Sequence, residues 1–266
     1  MRQESPNFDS HQVGILAGLV KRAGDQIMAV YRQPFIESET KADDSPVTQA
    51  DVLAHHSLVA DLHGAFQHSK VVSEEDAASL VYRRADSGFW LIDPLDGTKE
   101  FLSRSGEFTV NVAWVEQGVA VWGMVYAPAL HSLYWGGAGL GAWRESGGSV
   151  TALHVSESSA RHLRVVASKS HLDAQTSRFI DALPGSSLLQ AGSSLKFCRV
   201  AEGLADVYPR MGPTCEWDTA AAQAVLEGAG GVVLDLGGKP LRYGKPDVLN
   251  PSFIAAASPA LARVPT

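Results

Sequence analysis

The sequence predicts a layered α/β protein on three observations. Strand-like and helix-like segments alternate through the second half of the chain, the pattern of sheets covered by helices. Between residues 89 and 143, short apolar runs are separated by turn residues at hairpin spacing. Near the start, two long stretches carry apolar residues at helical intervals, as helices packed on a sheet do.

Val13, Leu16, Val20, Ala23, Ile27 and Tyr31 mark the first helix, with Asp9 and Gln12 placed to cap its start and Pro34 to stop it. Residues 37–46 are charged and aperiodic, which predicts a mobile loop. A second helix is expected over residues 47–66, with Val52, Val59, Leu62 and Phe66 facing inward. Val71-Val72 and residues 89–92 are short apolar runs that end in acids. Residues 109–115 and 120–126 flank Glu116-Gln117-Gly118, a hairpin pattern. Leu133-Tyr134-Trp135 and Gly141-Ala142-Trp143 continue a β meander, with Trp122, Trp135 and Trp143 assigned to the core. Beyond it, Val165-Val166, Leu188-Leu189 and residues 205–208 and 232–234 predict strands. Residues 174–183, 195–202 and 218–227 predict helices, the last closing on Gly230-Gly231. Residues 258–266, rich in Ala and Pro, run past the last strand.

Composition narrows the function classes. The chain has 266 residues, 45% of them hydrophobic, which suffices for a large core, and no repeat or low-complexity tract. A net charge of -7 argues against a nucleic-acid polymer as partner, since a phosphate backbone calls for a basic surface. A small phosphorylated ligand stays open, because metal ions can meet its charge. Two cysteines, Cys198 and Cys215, are too few for a disulfide scaffold and point to reducing conditions. Residues 1–10 contain no apolar signal-peptide core, and no apolar run reaches the roughly 20 residues of a membrane span. A cytoplasmic protein without a transmembrane segment is expected.

Residues 93–101, Asp-Pro-Leu-Asp-Gly-Thr-Lys-Glu-Phe, carry the most chemistry. They set two carboxylates three residues apart, directly after Phe89-Trp90-Leu91-Ile92. Unpaired carboxylates at the end of a buried strand repel each other and resist desolvation, so a cation is expected there. Glu74 and Glu75 follow another apolar run, and Asp218 precedes the Ala-rich residues 219–226. Hard cations such as Mg²⁺ prefer these oxygen ligands. Beside a phosphate they neutralise the phosphoryl oxygens and the leaving alkoxide, and they acidify water. Gly97 and Thr98 would offer backbone N–H groups to that phosphate at a helix start, and the Thr98 hydroxyl would hold the attacking water.

Taken singly, several of these residues have plainer explanations. Asp218 before its helix suits an N-cap, and Asp51, three residues after Thr48, suits a capping box as well as it suits catalysis. Glu74-Glu75-Asp76 alone resembles a solvated acidic turn. His55-His56 is assigned to the surface, because adjacent helical residues point in different directions. Cys215-Glu216 has no evident role.

The ordered set Ser45-Pro46-Val47-Thr48-Gln49-Ala50-Asp51, Ser73-Glu74-Glu75-Asp76, Trp90-Leu91-Ile92-Asp93-Pro94-Leu95-Asp96-Gly97-Thr98 and Trp217-Asp218-Thr219-Ala220-Ala221 resembles the inositol monophosphatase superfamily of Mg²⁺-dependent, lithium-sensitive phosphomonoesterases. The resemblance spans nearly the whole chain. It implies an αβαβα sandwich in which Glu74, Asp93, Asp96 and Asp218 ligate two or three Mg²⁺ ions through side chains and Leu95 through its carbonyl. It also implies that Asp51 with Thr98 activates the nucleophilic water. A Gly/Ser cluster at residues 146–149 suggests two halves: residues 1–149, an α+β half with most metal ligands, and residues 150–266, an α/β half completing the site. The two are expected to form one catalytic unit.

Within the superfamily, Lys99-Glu100-Phe101, residues 106–111 and Gly192-Ser193-Ser194-Leu195-Lys196-Phe197-Cys198 resemble bacterial 3'(2'),5'-bisphosphate nucleotidases, as do residues 205–210. Inositol monophosphatases usually carry an Asn-Phe pair where Glu100-Phe101 stands. The resemblance implies removal of the 3'-phosphate from adenosine 3',5'-bisphosphate, a by-product of sulfate assimilation. Substrate contacts would then fall to Gly97, Thr98 and Asp218 around the reacting phosphate, and to Ser193, Lys196 and Arg210 around the 5'-phosphate, ribose and base. His171 would close the nucleoside pocket. The alternatives are an inositol monophosphatase or fructose 1,6-bisphosphatase type of activity, or a catalytically silent phosphate-binding regulator. A homodimer is compatible with this resemblance, and peripheral association with the inner face of the membrane is a trait of some relatives.

Overall fold

The expected first helix forms: the Asp9 carboxylate accepts the Gln12 amide at 2.9 Å, and α1 (Ser10–Tyr31) buries Leu16, Val20, Ala23 and Ile27. The computed structural model describes residues 6–41, 46–84, 86–157, 162–169, 172–183 and 185–263. The stretch expected as a loop contains a short antiparallel pair, β1 (Ser38–Thr40) with β2 (Pro46–Thr48), while residues 42–45 lie outside the described residues. Neither strand has an apolar face, so periodicity gave no sign of the ladder. The second helix, α2 (Gln49–Ala65), buries Leu62 as expected and packs Val59 and Phe66 partly buried against the same core, but its innermost residues are Ala50, Asp51, Ala54, Leu58 and Leu62, and Val52 is 43% exposed. Ala50 and Ala54 share one core cluster with Leu16, Leu19 and Ala23 of α1, so small residues line this close helix contact.

The meander is larger than predicted. β3 (Val71–Ser73), β4 (Phe89–Asp96), β5 (Thr109–Glu116), β6 (Val119–Ala127), β7 (Ser132–Gly137), β8 (Gly141–Ser146) and β9 (Ser149–Ala152) form one sheet in sequence order. Only β3 and β4 pair in parallel. A five-residue helix, α3 (Thr98–Leu102), follows β4, and the Gly/Ser cluster makes the turn between β8 and β9. Trp122 is buried as expected. Trp135 and Trp143 are only half-buried and stack on each other at 6.3 Å.

The second half alternates as predicted: β10 (Arg164–Ser168), α4 (Ala174–Asp181), β11 (Ser187–Ala191), α5 (Leu195–Ala201), β12 (Val207–Arg210), α6 (Glu216–Gly228) and β13 (Val232–Asp235). An unpredicted strand, β14 (Phe253–Ala256), inserts antiparallel between β12 and β13, giving the order β11-β10-β12-β14-β13. Three apolar clusters then define five layers. One joins α1 and α2 to the outer face of the larger sheet, one joins both sheets through α5 and α6, and one joins Phe179 of α4 to Val207 and Ile254. The αβαβα sandwich is therefore present.

The layers approach closely where side chains are small. α6 lies so near β6 that a β-carbon at Gly123 would overlap the backbone carbonyl of Ala221. Gly123→Ala is expected to destabilise the protein by about 3 kcal/mol, since neither backbone can yield. Urea unfolding of the variant checks this, and an unchanged midpoint would contradict the packing.

Candidate active site

The site begins with an irregularity in β4. Asp93 pairs with Asn111 and Asp96 with Thr109, so two residues on β4, Pro94 and Leu95, oppose the single Val110 on β5. On a regular strand, residues three apart face opposite sides of the sheet. The extra residue, at Pro94-Leu95, re-aims Asp96 relative to Asp93, as a bulge does, and a bulge is where a strand tolerates proline. β3, paired in parallel, ends beside it: the Glu74 amide donates to the Ile92 carbonyl at 3.2 Å. The N-terminus of α6 delivers Asp218 from the other half. Carboxylate oxygens of Glu74, Asp93 and Asp218 all lie within 4.8 Å of one another.

Each of the remaining acids has one oxygen held by the fold. Asp51 is the third residue of α2, where its Oδ2 accepts the Thr48 amide at 2.8 Å and the Thr48 hydroxyl at 2.7 Å. Its Oδ1 accepts from the Thr98 hydroxyl at 3.2 Å, across 47 residues of sequence. Asp51 is thus both the cap residue and the partner of Thr98. Asp218 repeats the device: its Oδ2 accepts the Cys215 amide at 2.8 Å. Asp96 Oδ2 accepts the Ser194 amide at 2.6 Å and lies within reach of Asn111 Nδ2 and Thr109 Oγ1. The Leu95 carbonyl accepts from Thr98 Oγ1 at 3.4 Å, and the Leu95 amide donates to Asp93 Oδ1 at 3.1 Å.

The electrostatics are those of crowded, desolvated acids. Burial first, then the charges of Glu74, Asp96 and Asp218, push Asp93 well above the usual carboxylate range. Burial, then Asp96 and Glu74, does the same to Asp218, and burial raises Glu74. Asp51 and Asp96 are each raised to about 6, mainly by burial. Two ammonium groups stand nearby. Lys41 Nζ contacts Glu74 at 2.8 Å and Glu75 at 2.6 Å; burial lowers its pKa, but the two carboxylates outweigh that and raise it. Lys196 is buried rather than solvent-facing, donates to the Ser193 carbonyl at 2.6 Å and lies 5.4 Å from the Tyr208 ring centre. Burial lowers it to about 8.

A cleft of about 1020 Å³ opens over these groups. Gly97, Thr98, Ser193, Lys196, Arg210 and Asp218 all line it. Ser193, with φ of 43°, turns the chain so that Ser194 meets Asp96. The Arg210 guanidinium donates to the Pro213 carbonyl at 3.0 Å, not to an acid. His171 lies outside the described residues. His55 is not a plain surface residue: it is half-buried, with Nδ1 2.8 Å from the Ser73 hydroxyl beside Glu74. Glu216, without a role in the sequence, is fully buried and salt-bridged to Arg83 and Lys245. No periodicity or motif marks it, because its partners come from distant loops.

The donor set is all oxygen, its mutual repulsion is only partly relieved by Lys41 and Lys196, and the clustered spacing suits a small hard cation. A divalent metal fits these residues. Such a centre, at the junction of two sheets and open to a cleft of this size, defines the class as a metal-dependent phosphomonoesterase. The chain belongs to the inositol monophosphatase family, a Mg²⁺-dependent family whose model matches residues 10–264. A 3'(2'),5'-bisphosphate nucleotidase CysQ of Salmonella typhimurium is 46% identical over 238 residues, covering 88% of this chain and 95% of that protein. The Escherichia coli CysQ is 45% identical over the same shares. Among solved structures, CysQ from Bacteroides thetaiotaomicron superposes with a TM-score of 0.82 at 38% identity, covering 94% of this chain and 98% of that one.

The raised acids set a pH dependence. A carboxyl whose pKa is higher in the folded state than in the unfolded one favours folding fully at low pH. That contribution is lost as pH rises through the folded value. For Asp51 and Asp96 the window runs from the usual 3.8 to about 6. The metal-free protein is therefore expected to melt at progressively lower temperature as pH rises through this window. Added Mg²⁺ should restore stability most above it. Thermal melts with EDTA and with Mg²⁺ test this, and a flat or rising EDTA curve would refute it.

Proposed function

We infer that this chain is a 3'(2'),5'-bisphosphate nucleotidase that hydrolyses the 3'-phosphate of adenosine 3',5'-bisphosphate to give AMP and phosphate. The observation that carries this reading is a cleft with two unlike anion sites, the acid cluster that metal would fill and the buried Lys196 ammonium. A bisphosphate needs both, since metals at one phosphate do not reach the other. The 46% and 45% identity to bacterial nucleotidases over most of the chain supports the same substrate. The reaction would dispose of a by-product of sulfate assimilation.

In this reading Glu74, Asp93, Asp96, Asp218 and the Leu95 carbonyl hold two or three Mg²⁺ ions. Bound magnesium supplies charge neutralisation for the phosphoryl oxygens and acidifies nearby water. The chain's own part in the proton transfer runs through Asp51 and Thr98. The Thr98 proton is directed at Asp51 Oδ1, which leaves the Thr98 oxygen to accept from a water and orient it. A carboxylate raised to about 6 accepts a proton more readily near neutral pH than an ordinary one does. Gly97 and Thr98 border the reacting phosphate, and Ser193, Lys196 and Arg210 meet the rest of the nucleotide. A cytoplasmic setting belongs to this reading; among the described residues no helix is long and apolar enough to cross a membrane.

Phosphate release from adenosine 3',5'-bisphosphate and from inositol 1-phosphate tests the assignment. The bisphosphate should be strongly preferred, EDTA should abolish turnover and Li⁺ should inhibit it. Equal or better use of the inositol ester would sink it. Asp93→Asn should lower kcat by about a thousandfold or more, whereas Lys196→Ala should mainly raise KM. The reverse pattern would contradict the roles assigned to the two residues.

A further inference from the structure

We propose that Glu216 is a positioning residue for substrate, the centre of an Arg83–Glu216–Lys245 clamp that sets one wall of the cleft; the substrate part of this inference rests on the nucleotidase reading. Glu216 is fully buried, and its two oxygens take four donors. Oε1 accepts the Lys245 ammonium at 2.6 Å and the Lys245 amide at 3.1 Å. Oε2 accepts the Gly244 amide at 2.8 Å and pairs with Arg83 Nη1 at 3.1 Å. Arg83 also reaches the Pro246 carbonyl at 3.2 Å and the Asp247 carbonyl at 3.4 Å.

One carboxylate therefore ties together three stretches that face the cleft. The first is the 3-10 segment Ala77–Tyr82, with Leu80 at the cleft, which Arg83 follows. The second is the start of α6, with Trp217. The third is the loop after Lys245, whose Asp247, Val248 and Leu249 line the opening. That loop has lighter moorings of its own: the Glu216 amide donates to the Val248 carbonyl at 2.9 Å, and the Asn250 amide to the Thr214 carbonyl at 2.8 Å. None carries charge. If Glu216 is neutralised, the buried Arg83 guanidinium and the half-buried Lys245 ammonium lose their shared counter-charge, and both are driven toward water. The wall they hold moves with them.

The consequence is selective. Glu74, Asp93 and Asp96 are fixed by β3, β4, β5 and the Ser194 turn, none of which gives a donor to Glu216, and Asp218, two residues along α6, is held by its own bond from the Cys215 amide at 2.8 Å. Displacing the wall removes contacts to the non-reacting part of a large substrate and leaves the reacting phosphate in place. Such a change raises KM without a matching fall in kcat.

The test uses Mg²⁺-loaded full-length protein and Glu216→Gln, with steady-state kinetics on adenosine 3',5'-bisphosphate and on 4-nitrophenyl phosphate, and amide hydrogen exchange over residues 242–250. We expect KM for the bisphosphate to rise about tenfold with kcat within about threefold, the small ester nearly unaffected, and faster exchange in the loop. Equal losses on both esters, a fall in kcat alone, or unchanged exchange would overturn the proposal. If Glu216→Gln does not fold, Lys245→Met carries the same readouts, with Lys245→Arg expected to restore them. A wild-type enzyme inactive on the bisphosphate but active on the small ester would defeat the nucleotidase reading and the substrate part with it. The exchange measurement then decides the clamp alone.

Discussion

Mutual repulsion among desolvated carboxylates is the constraint on which the rest of this structure turns. Glu74, Asp93 and Asp218, from the ends of β3 and β4 and the start of α6, are drawn to one point, with Asp96 near enough to raise two of them and Asp51 a short distance away across Thr98. Burial alone penalises each charge, and proximity penalises them again. The fold tolerates this because it is otherwise stiff there. A bulge in β4, a parallel strand pair and two helix starts hold the acids by backbone geometry, and a divalent ion resolves the repulsion when bound.

The two helix starts share a device that removes an apparent choice. Asp51 and Asp218 are both the third residue of a helix, and each gives one oxygen to the backbone amide of its cap residue. A carboxylate has two oxygens, so the cap interaction orients the side chain and leaves its second oxygen for chemistry. Capping and site formation are therefore one interaction seen from two sides. At Asp51 the second oxygen is directed to Thr98, and at Asp218 the carboxylate joins Glu74 and Asp93.

The cleft is divided along the same lines. One side is built from the larger sheet and the start of α6 and holds the acids, with Lys41 against Glu74. The other comes from β12, the Ser193 turn and the loop after Lys245, and holds cations: Lys196 against Tyr208, Arg210 at the rim, and the pair around Glu216. A site with acids on one side and buried cations on the other suits an anion bridged to metal at one end and bound directly at the other.

Much of this was legible in the chain. The acid-bearing turn after Phe89-Trp90-Leu91-Ile92, the two capping patterns and the alternation of the second half are local features, and local spacing dictates them. Periodicity found Leu62 but turned Val52 inward and overlooked Ala50 and Ala54 of α2, because hydrophobicity underweights alanines at a close helix contact. It missed β1 and β2, which have no apolar face. The sequence by itself singled out the acids that the fold gathers and most of the helices and strands, because both follow from side-chain type and short-range spacing. Only the tertiary structure decided that Lys196 is buried, that His55 reaches Ser73 and that Glu216 gathers Arg83 and Lys245. Those facts depend on which distant backbones are brought within about 3 Å, the range of a hydrogen bond, and no local pattern encodes that.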